Sequence, residues 1–115
     1  MNNEKSQTEN VKRMYEEWTS LSEKISNAHK ERNQPVQQFM IRGIRLYEEL
    51  LASTIKAEEF HIEDIHQYEI LPLNGVERYH FISSRPEHYV SYIQLNELFI
   101  ETKKKMARLR IKSTK

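Results

Sequence analysis

The sequence predicts an all-α protein, a compact bundle of three long helices and two short ones. Of its 115 residues only two are glycine and three are proline, so residues that interrupt helices are rare. Apolar residues recur at helical spacing over most of the chain, and the alternating patterns of strands are almost absent. At this length we expect the helices to share one modest core in a single domain.

The first long helix is predicted from a narrow apolar seam. Ser6 followed by Glu9 has the spacing of a capping box, which predicts a helix start there and a flexible segment at residues 1–7. Apolar residues then recur at intervals of three and four over about five turns, which is typical of one helix face that packs on a partner. Its residues are Val11, Met14, Trp18, Leu21, Ile25 and Ala28. We expect packing within the bundle, with docking on a second copy as the alternative.

The second long helix is predicted to lie at the centre of the bundle. Asn33, Gln34 and Pro35 break the first pattern, and proline favours the first position of a new helix. The apolar stripe over residues 36–55 is wider than the seam before it, which is typical of a helix contacted on several sides. Gly43 costs about 1 kcal/mol relative to alanine inside a helix, so its presence indicates close approach of another backbone.

Two short helices and a last long one are predicted for the rest of the chain. The first short helix is expected near residues 62–68. Asn74, with Glu77 three residues later, predicts the start of the second, which ends before Arg85. Pro86 is predicted to open the last long helix, in which residues at helical spacing are Tyr89, Tyr92 or Ile93, Asn96, Phe99, Ile100 and Met106. The helical domain is predicted over residues 8–109, followed by a basic tail at 110–115.

Composition excludes several classes of site. Cysteine is absent, which removes disulfides, thiolate metal sites and thiol nucleophiles. No stretch approaches the roughly 20 apolar residues of a membrane span, and the first fifteen residues are polar, unlike a signal peptide. We therefore expect a soluble, intracellular protein without a membrane span, and the sequence predicts no cofactor and no catalytic residues.

The charge is unevenly distributed along the chain. Eighteen basic residues against seventeen acidic ones give a formal charge of +1, and seven of the basic ones lie at or after Lys103. Residues 1–101 therefore carry 11 basic and 17 acidic side chains, a balance of −6. Cations at the end of a helix complement its dipole, which is the simpler interpretation of the tail. The alternatives are phosphate or lipid-surface binding and a contact with the acidic stretch between Glu48 and Glu77.

The chain resembles a known family, most specifically in its second half. The pattern there comprises Leu73, Asn74, Glu77, Arg78, Phe81, Ile82, Pro86, Tyr89, Tyr92, Gln94, Leu95, Glu97, Leu98, Glu101 and Lys104. Similar positions in the first half are Trp18, Ile25, Arg32, Met40 and Ile44, so the likeness runs from about Trp18 to Ala107. In these residues the sequence resembles the YpoC-like family of small proteins from Gram-positive bacteria. The resemblance implies a cytoplasmic helical domain with no assigned reaction, and it supplies no site residues.

Three Glu-x-x-His pairs are the candidates for metal chemistry. Residues i and i+3 share a helix face, and carboxylate-bridged di-iron bundles combine two such pairs with glutamates from two other helices. The candidate ligands are Glu58, His61, Glu63, His66, Glu77 and His80, and the glutamates that could complete the set are Glu48, Glu49, Glu97 and Glu101. Because glutamate is abundant and two pairs crowd into the weakest helical segment, a metal-binding protein is only the second alternative.

Other polar residues favour structural roles. Arg78 is isolated in an acidic stretch, which predicts a bidentate pair with a carboxylate in preference to an anion-binding role. Ser83 and Ser84 lack the glycines of a nucleophile elbow and are interpreted as a helix cap. His29 and His88 have no acid at ligand spacing and are interpreted as surface or boundary residues.

The leading hypothesis is a non-enzymatic protein-protein interaction domain. Five aromatic residues fall within 21 positions: Tyr79, Phe81, Tyr89, Tyr92 and Phe99. We expect an exposed tyrosine-bearing or heptad face to bind a protein partner or a second copy. The candidate surface residues are Arg78, Tyr89, Tyr92, Lys103, Lys104, Lys105, Arg108 and Arg110. The first alternative is a nucleic-acid accessory protein that uses the basic tail and stacks bases on the tyrosines, although the acidic body would repel phosphate.

Overall fold

The described part of the protein, in a computed structural model, comprises residues 3–32 and 35–113, with side chains described for residues 8–32 and 35–109. It contains five helices and no strand. They are α1 (Asn3–Glu31), α2 (Val36–Thr54), a 3-10 helix (Ile62–Gln67), α3 (Gly75–Ser84) and α4 (Tyr89–Ser113). The predicted all-α class with three long and two short helices is confirmed.

Helix α1 is longer than predicted, and its apolar seam faces the interior. It begins at Asn3, so the predicted start at Ser6 is wrong, and the side chain of Ser6 lies outside the described residues. The seam is buried at Met14, Trp18, Leu21, Ile25 and Ala28 and half-buried at Val11. It packs inside the bundle as expected and is not available to a second copy.

Helix α2 runs antiparallel to α1 and lies at the centre of the bundle. The predicted break at Asn33 and Gln34 lies outside the described residues, and α2 starts directly after Pro35. Eight of its residues are buried: Met40, Gly43, Ile44, Leu46, Tyr47, Leu50, Leu51 and Ala52. A Cβ atom on Gly43 would lie 2.8 Å from the Trp18 ring and 3.2 Å from Leu95. The close approach at Gly43 therefore comes from side chains of α1 and α4, and the predicted backbone approach is wrong.

Helix α4 closes the core with aromatic contacts and hydrogen bonds. The Phe99 ring stacks on Trp18, with ring centroids 4.5 Å apart. The Trp18 indole N–H donates to Asn96 Oδ1 at 3.0 Å, and the Tyr15 hydroxyl donates to the Phe99 carbonyl at 2.6 Å. The Tyr47 hydroxyl lies 2.7 Å from the buried Thr102 hydroxyl, and burial raises the pKa of Tyr47 to about 12. These contacts fix which face of α4 points inward.

The starts of the last two helices differ from the predicted ones. Asn74 precedes α3 as predicted, but its backbone is left-handed at φ 57° and its side chain makes no capping hydrogen bond. An N-cap normally has extended backbone, so the predicted capping geometry is wrong. Helix α4 begins at Tyr89 and not at Pro86, because residues 85–88 form a turn. The buried Ser91 hydroxyl donates a hydrogen bond to the Arg85 carbonyl of this turn at 2.6 Å.

The dimensions of the molecule follow from its longest helix. The longest extent is 49 Å. The 29 residues of α1 rise by about 44 Å at 1.5 Å per residue. None of the helices within residues 3–32 and 35–113 combines the length and apolar character that crossing a membrane requires.

Candidate interaction surface

The six predicted metal ligands lie on the surface, in the part of the chain that runs from the end of α2 through α3. All six side chains are exposed: Glu58, His61, Glu63, His66, Glu77 and His80. The His61 ring contacts two neighbours, with Nδ1 at 3.5 Å from Glu63 and Nε2 at 3.9 Å from Glu59. Among the described residues no three His, Asp or Glu side chains come together in a group suited to a metal ion.

An open groove of about 450 Å³ lies between α1, α2 and the segment that follows α2. Carboxylates line it at Glu48, Glu49, Glu58 and Glu59, together with the guanidinium of Arg45. Glu48 is half-buried and accepts a hydrogen bond from the Tyr79 hydroxyl. Burial and this carboxylate raise the pKa of Tyr79, so the phenol stays protonated. The groove is thus acidic, and one of its carboxylates is already engaged by α3.

Arg78 joins α3 to α4 and makes the bidentate pair that the sequence predicts. Its Nη1 and Nη2 atoms donate to the two Glu101 carboxylate oxygens at 3.0 and 2.8 Å, and Nε donates to Gln94 Oε1 at 3.0 Å. Nη1 also reaches the Leu73 carbonyl at 3.2 Å. These hydrogen bonds raise the pKa of Arg78 and lower that of Glu101. Only 17% of the Arg78 side chain is exposed, so little of this proposed surface residue faces solvent.

The predicted serine cap and boundary histidines have other contacts. The Ser84 hydroxyl donates to the Phe81 carbonyl of its own helix at 3.0 Å, so it does not cap α4. His88 is exposed, with Nε2 at 3.7 Å from Glu87. His29, on α1, is half-buried against the start of α4, and its Nε2 atom is buried without a hydrogen-bond partner among the described residues.

The aromatic cluster divides into an inner and an outer set. Tyr79 and Phe99 are buried, Tyr92 is half-buried, and Phe81 and Tyr89 are exposed. Tyr89, one of the candidate surface residues, is 54% exposed. Its ring lies 5.1 Å from that of His29 and 5.8 Å from that of Tyr92. A tyrosine-bearing patch therefore lies on the surface where α4 begins.

The predicted basic residues also divide. Lys103, Lys104 and Arg108 are exposed, and Lys105 is half-buried. The side chain of Arg110 lies outside the described residues. Lys105 donates from Nζ to the Leu71 carbonyl at 2.8 Å, so it fixes the segment before α3. The Lys103 ammonium lies 5.4 Å from the centre of the Tyr15 ring. Exposed cations thus lie along the C-terminal half of α4, on sides of the helix that do not contact the core.

An apolar row on the outside of α4 was missed by the sequence analysis. Ile100 is 46% exposed and Ile93 is half-buried, on the side of α4 opposite the buried Leu98. Together with Tyr89 and the exposed Ala107 they form what we call the outer α4 face. The signal in the sequence is that apolar residues of α4 occupy two sides of the helix at once.

Comparison with known proteins identifies a family. A family model described as YpoC-like protein matches residues 8–114, nearly the whole chain. No curated protein and no solved structure matches.

Proposed function

The chain belongs to the YpoC-like family, and we propose that it acts as a non-enzymatic protein-binding module whose contact surface is the outer α4 face. One observation carries the proposal. Tyr89 and Ile100 expose about half of their surface on a helix whose other side is fully packed in the core. Apolar side chains that remain exposed in a row mark a surface for another macromolecule.

The composition of this surface fits a protein partner. Its centre is aliphatic and aromatic, and Lys103, Lys104 and Arg108 border it in the C-terminal half of α4. Protein interfaces combine an apolar centre that contains tyrosine with a polar rim. The chemistry of the rim favours a partner with an apolar ridge flanked by carboxylates, since cations attract that sign of charge.

The non-enzymatic part of the proposal is supported by how the buried polar groups are used. Arg78 is fully engaged by Glu101, Gln94 and a carbonyl, and Tyr79 donates to Glu48. Both groups join α3 to a long helix. Their hydrogen bonds are those of structural contacts, in which each donor already has an acceptor within the chain.

Photocrosslinking tests the proposal. A photoreactive residue at Ala107 on the outer α4 face should form adducts with another protein in an extract of the source cells. The same residue at Glu16, exposed on the far side of α1, is the matched control. Adding Ile100→Asp should abolish the Ala107 adduct while leaving the melting temperature unchanged. Equal adducts at both positions, or an adduct that survives Ile100→Asp, would overturn the proposal.

A second candidate is a nucleic-acid accessory protein, favoured by the three exposed cations Lys103, Lys104 and Arg108. Deleting residues 103–115 would also remove the hydrogen bond from Lys105 to Leu71. The cleaner variant is therefore Lys104→Glu with Arg108→Glu. If this candidate is right, labelled single-stranded or duplex DNA binds at low salt and the double variant loses that binding. Absence of binding at low salt removes the candidate.

A further inference from the structure

We infer that His29 is a pH-sensitive switch, which holds the end of α1 against the start of α4 while its ring is neutral and releases this contact when the ring is protonated. The switch is a property of the chain's own conformation and goes beyond the proposed function. Three observations carry it: the ring contacts of His29, its buried nitrogen atom without a partner, and the two helix ends that the ring joins.

The His29 ring joins α1 to α4 through aromatic contacts. Its centroid lies 5.1 Å from that of Tyr89, edge to face, and 6.2 Å from that of Tyr92. The two tyrosine rings also contact each other, with centroids 5.8 Å apart. The three rings therefore form one cluster, in which His29 comes from α1 and both tyrosines come from α4.

The Nε2 atom of His29 makes this cluster sensitive to protonation. The atom is buried and has no hydrogen-bond partner among the described residues. In a neutral imidazole only one nitrogen carries a proton, whereas in the imidazolium both do, Nε2 among them. Protonation in this place would therefore bury a charged N–H group without an acceptor, which costs more free energy than burying the neutral ring.

The charges near the cluster do not offset that cost. Burial lowers the pKa of His29, and no charged side chain of the described residues contributes to the shift. The two helix ends act in opposite directions, because the end of α1 favours a cation and the start of α4 disfavours one. The titratable and charged groups on these elements are Lys30 and Glu31 at the end of α1, Arg85, Glu87 and His88 in the turn before α4, and the phenols of Tyr89 and Tyr92.

Both elements that the ring joins end beside it, so they can separate without unfolding the core. Helix α1 ends two residues after His29, and the next residue, Arg32, has left-handed backbone at φ 62°, which is unfavourable for a residue other than glycine. Helix α4 begins at Tyr89 itself. The stack of Trp18 on Phe99 lies about three turns away along each helix. Helix ends open at a lower free energy than packed interiors, so the opening stays local.

Release of the contact changes the surface where α4 begins. Tyr89 is the first residue of the outer α4 face, and Tyr92 is half-buried. When the imidazolium turns toward solvent, both tyrosines lose their neighbour on α1 and Tyr92 becomes more exposed. Linkage determines the size of the effect, because protonation weakens the contact by the same factor by which the contact weakens protonation.

A pH titration of the full chain followed by NMR tests the switch. We expect a nuclear Overhauser effect between the rings of His29 and Tyr89 at about pH 8 that is lost by about pH 5. The midpoint should coincide with the titration of His29, at a pKa below its usual 6.5. The same signal between Trp18 and Phe99 should persist throughout. His29→Phe should keep its contact with Tyr89 at every pH, and His88→Phe, which removes an exposed histidine from the neighbouring turn, is the matched control.

Two results would overturn the switch. If His29 titrates at or above pH 6.5, the fold does not oppose its protonation. If the rings of His29 and Tyr89 stay together after protonation, the phenol holds the imidazolium through a cation–π contact and nothing is released. Both results come from the wild-type chain, so they do not depend on the folding of a variant. The titration needs no partner, so its outcome is independent of the Ala107 adduct that tests the proposed function.

Discussion

The α1–α2 hairpin and the α3–α4 junction use the same residue types in opposite ways. In the hairpin the apolar seam is buried, and ion pairs lie outside it, where Arg13 contacts Glu17 and Glu49 at 3.2 and 3.3 Å. At the junction an arginine takes the inner position, with the half-buried Arg78 held between Glu101 and Gln94. From this difference we expect burial, and not the mere presence of an ion pair, to determine how much each arginine contributes to stability.

The largest expected effect on stability is in the α1–α2 hairpin, at the buried seam. Trp18→Ala removes the ring that stacks on Phe99 and leaves the Asn96 side chain without its donor. We expect the free energy of unfolding to fall by about 3–5 kcal/mol, as for other large-to-small core substitutions. Urea unfolding measures this. The exposed Lys24→Ala should stay within about 0.5 kcal/mol of the wild type, and a loss at Trp18 of similar size would contradict the assignment of the seam.

The second prediction compares the two arginines directly. Arg78→Ala removes hydrogen bonds to a carboxylate, an amide and a carbonyl from a site that is 17% exposed, so stability should fall by about 2 kcal/mol. Arg13→Ala acts on a side chain that is 53% exposed and should change stability by less than about 0.5 kcal/mol. Thermal unfolding of both variants measures this difference in stability. An unchanged melt of Arg78→Ala with a lost Ala107 adduct would assign Arg78 to the interaction surface.

The hairpin could be predicted from the sequence because helical periodicity reports burial when apolar residues occupy one side of a helix. The seam of α1 and the broad stripe of α2 are such cases, and both are buried. The acidic stretch around Arg78 predicted a carboxylate partner but not which one, since Glu101 is 23 residues away. Choosing among distant carboxylates requires the packing of α3 on α4.

The candidate site was predicted only in part, and α4 shows why. Its apolar residues fit two faces, so spacing alone could not decide that Leu98 is buried and Ile100 exposed. The exposed cations were identified correctly at Lys103 and Lys104, but Lys105 reaches back to Leu71. Neighbouring lysines differ because each points in a different direction around the helix, and only the fold determines which direction contains an acceptor.

A third prediction sharpens the comparison through pH. Hydrogen bonds from Arg78 hold the pKa of Glu101 below its usual value of 4.5. The folded protein therefore binds this proton less readily than the unfolded chain, so the contribution is complete above pH 4.5 and is lost as the pH falls through the lowered pKa. We expect the stability difference between wild type and Glu101→Gln to shrink between neutral pH and about pH 3. Glu49→Gln, which changes the exposed partner of Arg13, is the control, and equal pH dependence in both variants would contradict the contrast.

The smallest effect is expected where the two regions meet, at His29 on α1 against the start of α4. Burial lowers the pKa of His29 below its usual 6.5, because its ring packs on Tyr89 and its Nε2 atom has no hydrogen-bond partner among the described residues. As the pH falls, the unfolded chain binds a proton at His29 before the folded protein does. The contribution of neutral His29 to stability is therefore complete above pH 6.5 and is lost as the pH drops below this value. His29→Phe keeps the ring contact and removes the titration, so its melting temperature should change less than that of the wild type between about pH 8 and pH 5. The exposed His88→Phe is the control. If His29→Phe kept the full pH dependence of the wild type, that dependence would come from other groups. His29 would then contribute to the contact between α1 and α4 only through the packing of its ring.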